Sequence, residues 1–600
     1  MNDGPRTLVD VLRRRAADQP EKIAYTFLVD GEHEGSWITY RDLDSSARAI
    51  AATLHARGLG PGDRALLLYA PGLEFIAAFF GCLYAGVVAV PSFPPHPAQL
   101  ARTLPRLVGV ATDAELSAVL TTASIVAGAD TIARRAQVLA NPPWIATDAL
   151  PRDMEGSCSE PNLAPDMLAF LQYTSGSTSA PKGVMVSHAN LLHNLAYANH
   201  VEENDEHSVS VSWLPVIHDM GLIEGVLEPM YAGYPAYLMA PAAFLQRPIR
   251  WLRAITKYRA TNSGGPNFAY DLCARKISDA QREELDLSSW CVAYNGAEPI
   301  RGETLSAFHE RFGNVGFRWR SFYPVYGLAE ATLVVSSGRR NYEAAVRAAD
   351  AGAIAHGEFQ AASTDTPLTR PLVACGSAQF ETRVVIVDPT TRQPCADRKI
   401  GEIWVSSPSV ARGYWRREQL TAETFGASLA NGDGPFLRTG DLGVLLGGEL
   451  IVTGRLKDLI IVRGLKHYPQ DLELTAERQH RALRAGCAAA FAIGDEGHDV
   501  GLAIEVDPRS LGGEPHDSVT RLADIVLAIR RAVTEEHGIT LAAVVLLSIG
   551  TMPKTSSGKL RRQACRQGFI ELTLEEMFRW THDSVAVTSS AAAVLEESAA

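Results

Sequence analysis

The chain has 600 residues, of which 46% are hydrophobic and 21% charged, and its net charge is −12. That is ample apolar material for several packed domains, and the acidic balance excludes broad nucleic-acid binding, which needs clustered Lys and Arg. Small anionic substrates stay open, since they need only a local positive site, and eight scattered cysteines without a CxxC pair read as a reduced, cytoplasmic chain without a structural zinc.

The N-terminal MNDGPRTLVDVLRRRAADQPEKIAY is a polar lead into an amphipathic helix, so no signal peptide is expected. Residues 75–90, FIAAFFGCLYAGVVAV, carry no charge but fall short of the roughly 20 residues a spanning helix needs. They read as a buried helix running into a strand, and no membrane span is expected. From about 38 to 300, short runs such as ALLLY, VVAV, AYLM and CVAYNG alternate with Ala- and Leu-rich stretches. That alternation predicts parallel βαβ units with both sheet faces covered. From about 371 to 455, VVIVD, GEIWVSS and GGELIVTG crowd together and predict a small antiparallel β subdomain. After RLKD at 455–458 a compact α+β pattern follows, and the chain ends in a low-complexity tail. The expected organisation is an N-terminal domain over 1–456 with an insertion at about 340–365, a C-terminal domain over 457–585 and a flexible tail over 586–600. Within the insertion, apolar spacing predicts a short helix stopped by Gly352 and Gly357.

Residues 173–183, YTSGSTSAPKG, can be neither helix nor strand throughout. They fail the Walker A pattern, because no Gly precedes Lys182 and Gly183 follows it. The physical logic of a phosphate loop still holds. Gly176 lets backbone approach an anion, Thr174, Ser175, Ser177 and Thr178 offer hydroxyl donors, and Lys182 adds charge. On these residues alone the stretch is either a phosphate loop or a surface hairpin. A strand precedes it, and a helix follows with Ser187 as its cap. His218 alone is as well read as a satisfied core histidine as a site residue. Met220, Gly221, Leu222 and Ile223 are either a tunnel floor or part of a core helix.

YTSGSTSAPKG resembles the phosphate-loop signature of the adenylate-forming (AMP-binding) enzymes. NGAEP at 295–299, YPVYGLAEAT at 323–332, RTGDLG at 438–443, GRLKDLI at 454–460 and PKTSSGKLRR at 553–562 resemble further motifs of that family, in its order. WLPVIHDMGLIEG at 213–225, RGLKHYPQDLE at 463–473 and the insertion are most similar to the fatty acyl-AMP ligases. The resemblance implies an α/β fold with a large N-terminal domain of stacked βαβ sheets plus a small β subdomain, and a smaller mobile α+β C-terminal domain. It implies that a fatty acid and ATP, with Mg²⁺, give acyl-adenylate and pyrophosphate, and that the acyl group then passes to the phosphopantetheine of a holo acyl carrier protein. An acyl-CoA synthetase and a catalytically silent adenylate-binding regulatory protein are the alternatives.

The same resemblance assigns roles. The 174–178 hydroxyls and Lys182 would hold the phosphates, with Glu330 and Thr178 at the Mg²⁺. Tyr326 would pack on the adenine, opposite Asn295, Gly296, Ala297 and Glu298, with Gly327 and Leu328 beside it. Asp441 would take the ribose hydroxyls, helped by Arg455, and Lys559 would meet the carboxylate and α-phosphate. His218 and Asp219 would lie near the substrate carboxylate, with Met220, Gly221 and Ile223 along the acyl chain. Ala329 stands where the family has a hydroxyl residue, which leaves Thr332 as a substitute.

Overall fold

The computed structural model describes residues 4–95, 100–150, 163–174, 181–363, 368–493, 499–512, 517–555 and 558–582. Two large sheets carry the first two-thirds of the chain. In the six-stranded sheet, Trp144–Ala146, Ala118–Thr121, Arg64–Leu68, Val88–Ser92 and Leu168–Thr174 run parallel, and Lys182–Ser187 closes it antiparallel. In the eight-stranded sheet, Phe322–Gly327, Val292–Asn295, Asn262–Gly265, Ser210–Ser212, Ala236–Met239 and Ile23–Leu28 run parallel. Antiparallel Val334–Ser337 and Glu34–Thr39 form its edges.

Parallel strands need cover on both faces, and apolar helices supply it. Helices Leu8–Asp18, Tyr40–Ala56, Glu74–Ala85 and His188–Glu202 share one core with Tyr25 of the larger sheet and Leu67 and Phe170 of the smaller. The uncharged run at 75–90 is thus the buried helix Glu74–Ala85, ended by left-handed Gly86 (φ 70°), and the strand Val88–Ser92. No helix among the described residues is long and apolar enough to cross a membrane. Ser187 caps His188–Glu202 as expected, its hydroxyl accepting from the Asn190 amide at 3.2 Å.

Arg383–Val387, Gly401–Ser406, Leu437–Leu446 and Glu449–Arg455 form the expected antiparallel sheet. The last described part is a four-stranded sheet of Leu483–Ile493, Asp499–Val506, Leu541–Leu547 and Glu576–Thr581, packed on helices Pro469–Glu477 and Ser518–His537. The insertion corrects the expected helix. Val346–Asp350 is a strand paired antiparallel with Thr369–Val373, and a short helix covers just Ala351–Ala355. Alanine favours helix locally, but here ladder partners outweigh propensity. Ala349, Ile354 and Phe359 share a core with Tyr468, and the Arg370 guanidinium stacks on the Tyr468 ring (4.4 Å) and pairs with Asp471 (3.1 Å).

Beneath the larger sheet lie three buried carboxylates, Glu202, Glu224 and Glu228. The Asn204 amide donates to Glu202 Oε2 and Glu228 Oε1, both at 2.9 Å, and Tyr234 donates to Glu228 Oε2. Burial, reinforced by Glu202, pushes the Glu228 carboxyl up to about 8. An acid raised in the folded state favours folding below its unfolded value, and that contribution is lost as pH climbs through the folded value. Stability from this group should therefore decline between about pH 4.5 and 8. Glu228→Gln keeps the shape and removes the ionisation. Its melting temperature should gain on that of the parent as pH rises from 5 to 8, by thermal unfolding followed with circular dichroism; a constant difference would show that Glu228 does not titrate in this range.

Candidate active site

The site residues gather where the two sheets, the antiparallel subdomain and the last part of the chain meet. Asp441 and Arg455 face each other in register on neighbouring strands, Arg455 Nε donating to Asp441 Oδ1 at 3.0 Å. Tyr326, at the end of its parallel strand, donates its hydroxyl to Asp441 Oδ2 at 2.8 Å. Burial raises the Tyr326 phenol, so it stays a donor, while Asp441 raises Arg455 further and keeps it charged. The carboxylate is 8% exposed and both its oxygens are engaged.

Glu330 sits on the turn Ala329–Ala331, and its Oε1 accepts from the Tyr414 hydroxyl at 2.8 Å. Lys182 begins the antiparallel strand of the smaller sheet, and its ammonium lies 5.2 Å from the Tyr414 ring centroid. Burial lowers Lys182, Lys457 adds to that, and Glu330 pulls it back up. Thr332 does not replace the hydroxyl missing at Ala329. It is buried with φ 69°, and its Oγ1 donates to the Ser409 carbonyl at 2.6 Å.

Among the residues expected at the adenine, Asn295 ends its strand fully buried, with neither side-chain amide atom in a hydrogen bond. A Cβ at Gly296 would come within 2.6 Å of Val325 Cγ2, so close strand packing requires that glycine. Gly327 is under the same kind of constraint, a Cβ there falling 1.9 Å from the Leu333 carbonyl oxygen. Leu328 is half-buried beside them. Ala297 is exposed and left-handed (φ 67°), a strained turn for a residue with a Cβ. Glu298 accepts from the Phe268 amide at 2.7 Å; burial raises its carboxyl and Lys559 opposes the rise.

Burial also pushes His218 down to about 4, Asp219 opposing and Lys559 and Arg106 assisting, so the imidazole is neutral at neutral pH. Lys559 therefore acts electrostatically on both His218 and Glu298. Its backbone is tied to Thr555, the Thr555 amide donating to the Lys559 carbonyl at 2.8 Å and the Lys559 amide to Thr555 Oγ1 at 3.0 Å. Arg562 then pairs with Glu473 (2.6 Å) and Asp458 (3.2 Å), anchoring the loop to the residues just after Arg455. The sequence reading missed this arginine because its partners lie about ninety residues and more away. It missed Tyr414 for a similar reason.

Ser175, Gly176, Ser177 and Thr178 lie outside the described residues, and Thr174 is the last residue of the strand before them. Residues 220–227 form a π-helix, Met220–Leu227, capped by Asp219, whose Oδ1 accepts from the Met220 amide at 2.8 Å. Leu222 and Ile223 belong to the core between the sheets and Met220 to the core on the far face of the larger one. Gly221 is in close packing: a Cβ there would sit 2.1 Å from the Pro215 carbonyl oxygen.

Residues 12–415 match the family model described as AMP-binding enzyme. The chain belongs to this family. Residues 457–578 of this AMP-binding enzyme match a second model, the AMP domain of Disco-interacting protein 2-like proteins. Over 98% of both chains it is 45% identical to the medium-chain-fatty-acid–[acyl-carrier-protein] ligase JamA of Moorena producens. A fatty acyl-adenylate ligase from L. pneumophila, solved with acyl adenylate and pyrophosphate, is 41% identical, with TM-score 0.74 over 97% of this chain and 99% of that one. A further structure, from work on the fatty acyl-adenylate ligases of E. coli and L. pneumophila, is 34% identical with TM-score 0.85, over 95% and 98% of the two chains.

The packing at Gly221 has a direct consequence. Gly221→Val forces methyl groups against immobile backbone, and overpacking of this kind costs about 1–3 kcal/mol or more. The variant should show an earlier urea midpoint with an unchanged slope, measured by fluorescence. A midpoint equal to the parent's would mean that the 214–215 backbone yields freely.

Proposed function

We propose that this AMP-binding enzyme is a fatty acyl-AMP ligase, joining a fatty acid to the α-phosphate of ATP with release of pyrophosphate and then passing the acyl group to the phosphopantetheine of an acyl carrier protein. The observation that carries the reading is Asp441 held between Tyr326 and Arg455 as a ribose clamp would be, with Tyr414 linking Glu330 and Lys182 and the charge of Lys559 reaching His218 and Glu298. The identity to JamA supports the carrier protein as acceptor and favours medium-chain acids.

The chemistry brings a carboxylate up to a polyphosphate, so the protein's task is positioning and charge stabilisation. Lys559 would hold the attacking carboxylate and the α-phosphate oxygens together, and a neutral His218 adds no competing charge but can hydrogen-bond the acid. A carboxylate such as Asp441 offers acceptors, which suits two ribose hydroxyls, and Arg455 orients it by donating to Oδ1. Tyr326 and the Asn295–Glu298 turn would enclose the adenine, the unpaired Asn295 amide offering it a donor and an acceptor. Lys182 and the 174–178 segment would take the departing phosphates. The Glu330 carboxylate is a fitting hard-oxygen ligand for Mg²⁺, which would neutralise part of the triphosphate charge. We assign residues 1–456 and 457–585 to two units that turn about Asp458 between the half-reactions, the insertion biasing their arrangement through Arg370 and Tyr468. The reaction belongs in the cytoplasm, with ATP and holo carrier protein.

Mass spectrometry of products from a mixed fatty-acid pool with ATP, supplied in turn with CoA and with holo carrier protein, tests the reading. Acyl-adenylate in every arm and thioester in the carrier arm are expected; acyl-CoA as the main product would make it a CoA synthetase, and no adenylate at all would overturn it. Lys559→Ala should slow adenylate formation about 10²–10³-fold, as loss of an oxyanion donor does, with ATP affinity little changed. Adenylate formed at the parental rate would remove Lys559 from the chemistry.

A further inference from the structure

Residues 412–415 run along the outer edge of the strand Lys182–Ser187. The Arg412 amide donates to the Met185 carbonyl, the Met185 amide to the Gly413 carbonyl and the Trp415 amide to the Gly183 carbonyl, at 2.8–2.9 Å. Just upstream the same segment is tied to the Glu330 turn. The Ala411 amide donates to the Glu330 carbonyl at 2.9 Å, and Thr332 Oγ1 holds the Ser409 carbonyl. It therefore joins two elements far apart in sequence, the strand that starts with Lys182 and the turn that carries Glu330.

Tyr414 sits at that junction, 7% exposed. Its amide donates to Thr421 Oγ1 at 3.0 Å and its ring meets Phe425 edge to face at 5.1 Å, so neither backbone nor ring is free to turn. Its Oη donates to Glu330 Oε1 at 2.8 Å and its ring face lies below the Lys182 ammonium at 5.2 Å. One locked side chain thus touches the proposed metal carboxylate and the proposed phosphate lysine at once. A carboxylate that receives one fixed hydrogen bond is biased toward one orientation about its last torsion, and an ammonium over a ring face gains electrostatic attraction.

We infer that Tyr414 is a positioning residue that orients Glu330 toward the divalent cation of the ATP complex and holds Lys182 over its ring. This rests on the reading of Glu330 as the Mg²⁺ ligand. The two contacts are separable: Tyr414→Phe removes the hydroxyl and keeps the ring, whereas Tyr414→Leu removes both.

The test uses the full chain with an α,β-methylene ATP analogue, and Mn²⁺ as the probe, followed by electron paramagnetic resonance. Glu330→Gln reports on the ligand itself. In Tyr414→Phe, Mn²⁺ binding to the protein–analogue complex should weaken about tenfold, in the range seen when a partner of a metal ligand is removed. Binding of the analogue without metal should stay at the parental value. Tyr414→Leu should show the same metal loss and, in addition, a roughly threefold weaker metal-free analogue. A merely structural role would move both measurements together in Tyr414→Phe, and that result would overturn the inference. So would parental Mn²⁺ binding in Tyr414→Phe beside a loss in Glu330→Gln. Parental Mn²⁺ binding in Glu330→Gln would instead remove the metal reading of Glu330, and the inference with it.

Discussion

The architecture of the site depends on one carboxylate, Asp441, held between a phenol and a guanidinium. A charge this far from water is tolerated when paired and hydrogen-bonded, and costs several kcal/mol when it is not. The pairing therefore forces three elements together: the parallel strand that ends in Tyr326, the antiparallel strand that carries Asp441, and the strand that delivers Arg455. Arg455 leads into residues 456–458, Asp458 takes Arg562, and Arg562 stands three residues after Lys559. Two charge pairs, joined through residues 456–458, thus link Asp441 to the segment that carries Lys559.

Much of this could be read from residue types. The alternation of short apolar runs with Ala- and Leu-rich stretches foretold parallel strands covered on both faces, and the crowded strands after 371 foretold the antiparallel sheet. The strands Ser210–Ser212 and Asn262–Gly265 escaped notice, because Ser, Asn and Gly carry no β signal and are held there by neighbours on both sides. The insertion misled for the converse reason, its alanines advertising a helix where a partner strand was available. The close approach of the Pro215 carbonyl to Gly221 was likewise out of reach of the sequence, because a small residue in an apolar helix gives no sign of which backbone it meets. Tyr414 and Arg562 were illegible because each acts through partners distant in sequence.

The site also shows how little net charge constrains local chemistry. The chain is acidic overall, yet Lys182, Lys457, Arg455 and Lys559 converge on one region, and the nearby His218 is kept neutral. Several cations in one region raise the local positive potential whatever the net charge, while the acidic remainder limits unspecific association.

The ladder along residues 412–415 has another consequence. An uncovered sheet edge presents unpaired amides and carbonyls, and proteins cover such edges to avoid pairing with other chains. The strand Lys182–Ser187 is the last of its sheet, and this segment occupies its outward hydrogen-bonding groups. The stretch that brings Tyr414 to Glu330 is therefore also the cover that keeps two copies of the chain from joining sheet to sheet. Lesions that loosen it would reach the cell as aggregation as well as lost turnover, so recovered soluble protein is the measurement that tells the two apart.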